Sequence, residues 1–280
     1  MADTPEFQFV EEAPKSAMSI MAHPDDTEFS CGGTFAIWAR AGTEITMVIL
    51  TDGSKGSPDR SLTYAQLMEM RKAEQAAAAK LLGVTRVVHL DYEDGVLQPT
   101  IELRRDIARV IRQYRPAVII TGDPDARFGG ENYINHPDHR AAAEATLYGI
   151  FPAADNHNYY PELLAEGLEP HYVEQLYITQ WGEGKTVVAL DEEAMNAKLA
   201  ALGEHTSQFK LSDVEPFVRE RTAEASAKYG VPYVETYRRL ILREPRSAKE
   251  QAEVNAEQQI QATDPVAEES REVATVGSEE

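Results

Sequence analysis

The chain has 280 residues, is 42% apolar and carries a formal net charge of −20, so it can bury a full core but offers no basic surface for nucleic acid. No apolar run reaches the ~18 residues of a membrane span, and the acidic start from Met1 to Glu6 lacks the apolar stretch of a signal peptide. The lone cysteine, Cys31, excludes an intramolecular disulfide and favours a reducing compartment, so the chain reads as cytoplasmic.

Residues 1–15 read as a loose acidic arm and residues 16–244 as one domain. The domain opens with a buried strand over 17–22. A helix over 33–41 follows, stopped by Gly42, then a strand over 44–51. A long helix is predicted over 61–82, with Ser61 or Thr63 as its N-cap and Gly83 just beyond its end. Next come a strand over 85–90, a helix over 101–114 that stops before Pro116, and a strand over 117–121. Residues 122–135, rich in Gly, Asp and Asn, read as a long loop of the kind that often carries function. A helix starts near Pro137, strands are predicted over 174–179 and 186–190, helices over 192–202 and 213–228, and a last strand over 233–242. The regular βα alternation with short apolar strands predicts an α/β fold, a parallel sheet flanked by helices. Residues 245–280 hold no aromatic residue and pair three Arg and Lys with nine Asp and Glu, the composition of a disordered acidic tail.

Two clusters carry the chemistry. The first, His23-Pro24-Asp25-Asp26, follows the first strand directly; the second, His136-Pro137-Asp138-His139, ends the long loop and opens a helix. In open α/β sheets ligands gather at the carboxyl ends of strands, where both clusters fall. Imidazole and carboxylate suit a hard or borderline metal ion. His23 and Asp26 can turn onto one centre while Asp25 projects elsewhere. His136 and His139 share one face of a helix N-terminus, whose dipole disfavours a protonated imidazole and favours an anion. Two His and one Asp leave an open position for water, whose pKa a metal draws towards ~7. Asp25 could then take the proton, and the remaining His could stabilise an oxyanion or protonate a leaving group. This inventory suits amide hydrolysis. Two His and one carboxylate also make the facial triad of Fe(II) oxygenases, against which the βα alternation argues. A silent sugar-binding protein would have no use for a carboxylate beside the donor set.

The ordered run of motifs resembles the PIG-L / LmbE-like family of zinc-dependent N-acetylglucosaminyl deacetylases over roughly residues 17–210. The resemblance rests on Ala22-His23-Pro24-Asp25-Asp26 with Glu28, Gly32-Gly33-Thr34, Thr51-Asp52-Gly53 with Gly56, and Arg71 with Glu74. It continues through Leu82-Gly83-Val84, Asp94-Gly95, Asp123-Pro124 and His136-Pro137-Asp138-His139, and more weakly through Lys198 and His205-Thr206-Ser207-Gln208. It implies a Rossmann-like core with the site at the strand ends. By resemblance His23, Asp26 and His139 bind Zn²⁺ (with Fe²⁺ the alternative ion), Asp25 activates water, His136 stabilises the oxyanion and Asp138 orients it. The implied substrate is a small molecule carrying N-acetylglucosamine, and an amidase acting on a sugar–amino-acid conjugate would use the same site. Some members carry a Tyr two positions before the first His of the second motif. Here that position is Ile134, so either Tyr133 substitutes or His136 and the metal act alone.

Among weaker candidates, the family match points Arg71 at substrate with Glu74 holding it. Asp52 with Gly53 and Gly56 would form a loop at the mouth of the second strand, and Arg127 with Asp125 could meet sugar hydroxyls. Gly32-Gly33 fits close helix–strand packing rather than a nucleotide loop. The sequence leaves a homo-oligomer open.

Overall fold

In the computed structural model, which describes residues 7–57, 59–129, 131–180 and 184–243, the apolar runs lie side by side as strands. In chain order the strands are β1 (Gln8–Phe9), β2 (Ser16–Met21), β3 (Glu44–Thr51), β4 (Arg86–Tyr92), β5 (Val118–Thr121), β6 (Phe128–Gly129), β7 (Tyr133–Ile134), β8 (Gln175–Thr179), β9 (Thr186–Leu190) and β10 (Tyr233–Ile241). The helices are α1 (Asp26–Arg40), α2 (Tyr64–Leu81), α3 (Ile101–Tyr114), α4 (Pro137–Tyr148), α5 (Pro161–Ala165), α6 (Glu192–Gly203) and α7 (Leu211–Ser226), with an irregular helical turn, Gly149–Ala154, between α4 and α5.

Eight strands form one sheet in the order β1-β9-β10-β8-β5-β2-β3-β4, and β6 and β7 make a separate hairpin. Neighbours run parallel except β10, which is antiparallel to both β8 and β9. The sheet is therefore mostly parallel, as the alternation predicts. Its faces bury separate cores, which is why the central strands read as unbroken apolar runs. On β2, Ala17 and Met21 pack with Trp38, Ala78 and Leu199 on one face, while Met18 and Ile20 pack with Ile107, Ile111 and Ala142 on the other. The chain leaves β2 for β3 and β4 on one side, then crosses to β5 on the other. This makes the β2/β5 junction a switch point, where a crevice opens beyond the strand ends.

Three boundaries differ from expectation. Residues 8–9 of the supposed arm pair with Thr186 and Val187 of β9, because Phe7 and Phe9 have an aromatic partner surface that includes Tyr229. Helix α1 begins at Asp26 rather than 33: a short helical segment, its start suited to Asp26 and Glu28, precedes the expected helix and joins it across a break at Cys31. The long loop folds back on itself as the β6–β7 hairpin. Thr63 is the N-cap of α2, in a capping box with Gln66 worth about 1 kcal/mol. No described helix is long and apolar enough to cross a membrane. The tail, 245–280, lies outside the described residues.

Candidate metal centre and active site

The first cluster enters the crevice directly from β2. Thr51 fixes its root, donating backbone N–H and hydroxyl to the Ala22 carbonyl, both at 2.8 Å. The His23 N–H then reaches Asp26 Oδ2 at 2.8 Å, folding the turn so that both side chains meet. Asp25 caps α1 with φ 94°, a left-handed conformation that costs a non-glycine residue of order 1 kcal/mol or more. Two contacts hold this strained residue: its N–H donates to Gln75 Oε1 at 3.0 Å, and its Oδ2 accepts from Arg71 Nη2 at 3.1 Å.

The second cluster arrives from β5 through the hairpin. His136 is the N-cap of α4 and accepts the Asp138 N–H at Nδ1, 3.2 Å away, so its proton sits on Nε2. His139 Nδ1 lies 3.0 Å from Asn135 Oδ1, and Asn135 is itself fixed by donating to the Ala126 carbonyl at 2.8 Å. With Nδ1–H given to Asn135, the lone pair of His139 is on Nε2.

Asp26 joins the clusters. Its Oδ2 is 3.5 Å from His23 Nδ1 and its Oδ1 is 3.1 Å from His139 Nε2. Around a tetrahedral Zn²⁺ with ligand bonds of about 2.0–2.2 Å, ligand atoms lie roughly 3.3–3.6 Å apart. The donor set His23, Asp26, His139 fits such an ion in type, and its ligand atoms lie within 4.8 Å of one another, close enough to converge on one centre.

The electrostatics agree. His23 is buried, which pushes its pKa down, but hydrogen bonds to Asp138, Asp26 and Asp94 outweigh this and raise it to about 12. Burial likewise disfavours charge on His139 and Asp26, and their mutual attraction overrides it in both. The pocket thus selects positive charge where a cation would sit. Burial, then the neighbouring Asp26, pushes Asp25 up to about 7 against the pull of Arg71. His136 is lowered by burial and by His23, so it is a neutral imidazole presenting Nε2–H.

A cavity of about 1000 Å³ opens over these groups. It is lined by His23, Asp25, Asp26, Arg71, Asp94, His136 and His139, with Phe29, Phe128, Tyr133 and Phe217 among the other walls. Tyr133 lines it while Ile134, 78% exposed, does not.

Residues 18–148 match the GlcNAc-PI de-N-acetylase (PIG-L) family. Over 213 residues the chain is 32% identical to diacetylchitobiose deacetylase of Thermococcus kodakarensis, spanning 73% of this chain and 75% of that one. The chain belongs to the PIG-L family. It is also 28% identical over 249 residues to a 1D-myo-inositol 2-acetamido-2-deoxy-alpha-D-glucopyranoside deacetylase of Catenulispora acidiphila, covering 70% of this chain and 80% of that one. The solved N,N'-diacetylchitobiose deacetylase of Pyrococcus horikoshii superposes with a TM-score of 0.74 at 29% identity, covering 81% and 84% of the two chains.

Several expected contacts fall elsewhere in this PIG-L member. Asp138 holds the His136 ring through its backbone N–H, while its carboxylate accepts from Gly95 and Leu97 N–H at 2.7 and 3.2 Å and lies 3.5 Å from His23 Nε2. The first turn of α4 sends it inward, to the loop after β4. Glu74 does not hold Arg71 but accepts from Thr206 Oγ1, Ser207 N and Ser207 Oγ, pinning the segment after α6. Asp52 accepts from Ser54 and Asp94 N–H, organising its own loop outside the cavity wall. Arg127 is exposed and also outside that wall, and its carbonyl accepts from the Asn135 N–H.

Three further residues emerge only in three dimensions. Asp94 Oδ1 sits 3.2 Å from His23 Nε2, so Asp94 and Asp138 together orient that ring and raise its basicity at Nδ1. Asn135 does the same for His139. Gln75 ties Asp25 to buried Glu28, donating to its Oε1 at 2.7 Å. Asp94-Gly95 is part of the motif run, which was the only sequence signal; Asn135 and Gln75 gave none.

Proposed function

We propose that this chain hydrolyses the acetamide of an N-acetylated amino sugar, releasing acetate and the free amine. The observation that carries this reading is the Asp25 carboxylate, held by Arg71 beside the His23–Asp26–His139 donor set in one cavity, in a chain of the de-N-acetylase family. A divalent cation bound by His23, Asp26 and His139 would act as a Lewis acid on the acetyl oxygen and lower the pKa of a water it holds.

The chain's own groups do the rest. Asp25 accepts the proton of the attacking water at its carboxylate. His136, neutral, donates Nε2–H to the oxygen as charge develops there. Because its pKa is lowered, His136 is a neutral ring that donates a hydrogen bond and carries no imidazolium proton to give. Asp25 therefore returns the proton to the amine nitrogen as the C–N bond breaks, which conserves protons over the cycle. Asp94 and Asp138 keep the His23 ring in place throughout.

Two nitrogens and one carboxylate oxygen with an open fourth position favour Zn²⁺, and Fe²⁺ is the alternative the same donors accept. The buried lone thiol Cys31 is in keeping with a cytoplasmic setting. The test is release of acetate from a panel of N-acetylglucosaminyl conjugates, including diacetylchitobiose, with metal analysis on the same sample. Acetate release that chelation abolishes and Zn²⁺ restores is expected. Full activity in metal-free protein, or no acetate from any N-acetylated sugar, would contradict the reading.

A further inference from the structure

Helix α1 carries Asp25 and Asp26 at its start, yet it is not one helix. At Cys31 the backbone leaves helical geometry, with φ −144° and ψ 19°. Beyond the break the Gly33 and Thr34 N–H groups donate to Glu235, at 3.0 Å to Oε1 and 2.7 Å to Oε2. Before it the Phe29 carbonyl accepts from Lys198 Nζ at 2.8 Å. In an unbroken helix the residue 33 N–H would bond the residue 29 carbonyl. Here each end of that bond has a side-chain partner, and the two partners join each other at 2.5 Å between Lys198 Nζ and Glu235 Oε1.

The ion pair comes from distant elements, α6 and β10, and is 3% and 6% exposed. The surroundings are shaped to admit it. A Cβ on Gly32 would meet Lys198 Cγ at 3.4 Å; one on Gly33 would meet Leu190 Cδ1 at 2.5 Å and Glu235 Oε1 at 3.2 Å. The Tyr237 hydroxyl adds a contact to Glu235 Oε2 at 3.2 Å and to Thr34 Oγ1 at 2.7 Å.

We propose that Lys198 and Glu235 are positioning residues that set the tilt of the short segment Asp26–Ser30 and thereby the placement of Asp25 and Asp26 against His23 and His139. The break uncouples this one-and-a-half-turn segment from the rest of α1, and the ion pair fixes the angle between the two parts. Asp25, Asp26, Phe29 and Ser30 all face the active-site cavity, so a small change of tilt moves a metal donor and the base together. The inference rests on the proposed function of the site.

The test uses the full chain loaded with Zn²⁺ and three variants. Glu235→Asp keeps the charge but is too short to bond both N–H groups. Lys198→Met keeps the stem against Gly32 and removes the charge. Lys198→Arg keeps the charge. The proposal expects folded Glu235→Asp and Lys198→Met to lose Zn²⁺ affinity by about 10–100-fold in competition with a chromophoric chelator. It expects kcat to fall with KM little changed, and Lys198→Arg to recover most of both losses. Wild-type Zn²⁺ affinity and kcat per folded molecule in Glu235→Asp would overturn it, whether or not Lys198→Met folds. Zn²⁺ affinity is read without substrate, so a wild-type chain that binds Zn²⁺ but releases no acetate counts against the proposed function and leaves this test standing.

Discussion

Arg71 and Asp25 are locked together inside the fold. One guanidinium nitrogen, Nη2, donates both to the Asp25 carboxylate at 3.1 Å and to the Pro24 carbonyl at 2.6 Å, while Nη1 reaches the Gly53 carbonyl at 3.2 Å. Arg71 is 3% exposed. It therefore does not reach freely into the cavity for substrate but grips the turn that presents Asp25, the proposed base, and its positive charge keeps a buried carboxylate ionisable.

Arg71→Met should accordingly damage both stability and chemistry. Removing one partner of a buried pair leaves an uncompensated carboxylate and a bare carbonyl, at a cost of about 3–5 kcal/mol. Thermal or urea unfolding of the metal-loaded variant reads this directly. A loss under about 1 kcal/mol, as for a solvent-exposed pair, would show that the clamp is not formed.

The pH profile follows from Asp25. A base works only when deprotonated, so kcat/KM should rise with pH through its pKa. Without metal, burial holds Asp25 near 7. A bound divalent cation adds nearby positive charge and lowers that value. The acid limb of the loaded enzyme should therefore have its midpoint below pH 7. Arg71 also lowers the pKa, so Arg71→Met should move the limb to higher pH. A limb above pH 7 in the wild type, or an unchanged limb in the variant, would remove Asp25 from the base role.

The longer strands and both donor clusters were legible in the sequence because their causes are local. Parallel strands covered on both faces read as unbroken apolar runs such as residues 47–50, and the His-Pro-Asp-Asp and His-Pro-Asp-His tetrads sit at strand ends. What was not legible depends on pairing across the chain. Asp138 follows His136 by two residues, yet its carboxylate serves His23, because a helix start and a distant loop decide its direction. Glu74 lies one turn from Arg71 but binds a segment 132–133 residues away. Glu235 meets α1 across more than 200 residues, with no periodicity or spacing to announce it.

The orienting residues should act on metal affinity. Asp94→Ala and Asn135→Ala each remove a partner of a proposed ligand imidazole, His23 and His139 respectively. Each should weaken Zn²⁺ binding by about 10–100-fold. Calorimetric or chelator-competition titration checks this, and wild-type affinity in both would mean that the rings are held by other groups.

Gly56 leaves room for the clamp. A Cβ there would lie 2.7 Å from Arg71 Nη1 and 2.9 Å from Gln208 Oε1. Because Arg71 is fixed by three hydrogen bonds, it cannot swing aside without releasing Asp25. Gly56→Ala should lower kcat by about tenfold or more while leaving metal content unchanged, since a displacement of order 1 Å in a catalytic geometry costs far more rate than binding. Metal analysis and steady-state kinetics on one preparation separate these effects; a wild-type kcat would show that the loop gives way instead.

Asp25→Asn puts the central claim to its most direct test, with kcat for acetate release and bound metal measured on the same sample. The side chain keeps its size and still offers Arg71 an acceptor, while His23, Asp26 and His139 are untouched. The variant should retain wild-type metal content and lose about 10²–10⁴-fold in kcat, the range supplied by a positioned general base. A metal-loaded Asp25→Asn enzyme turning over at the wild-type rate would contradict the account.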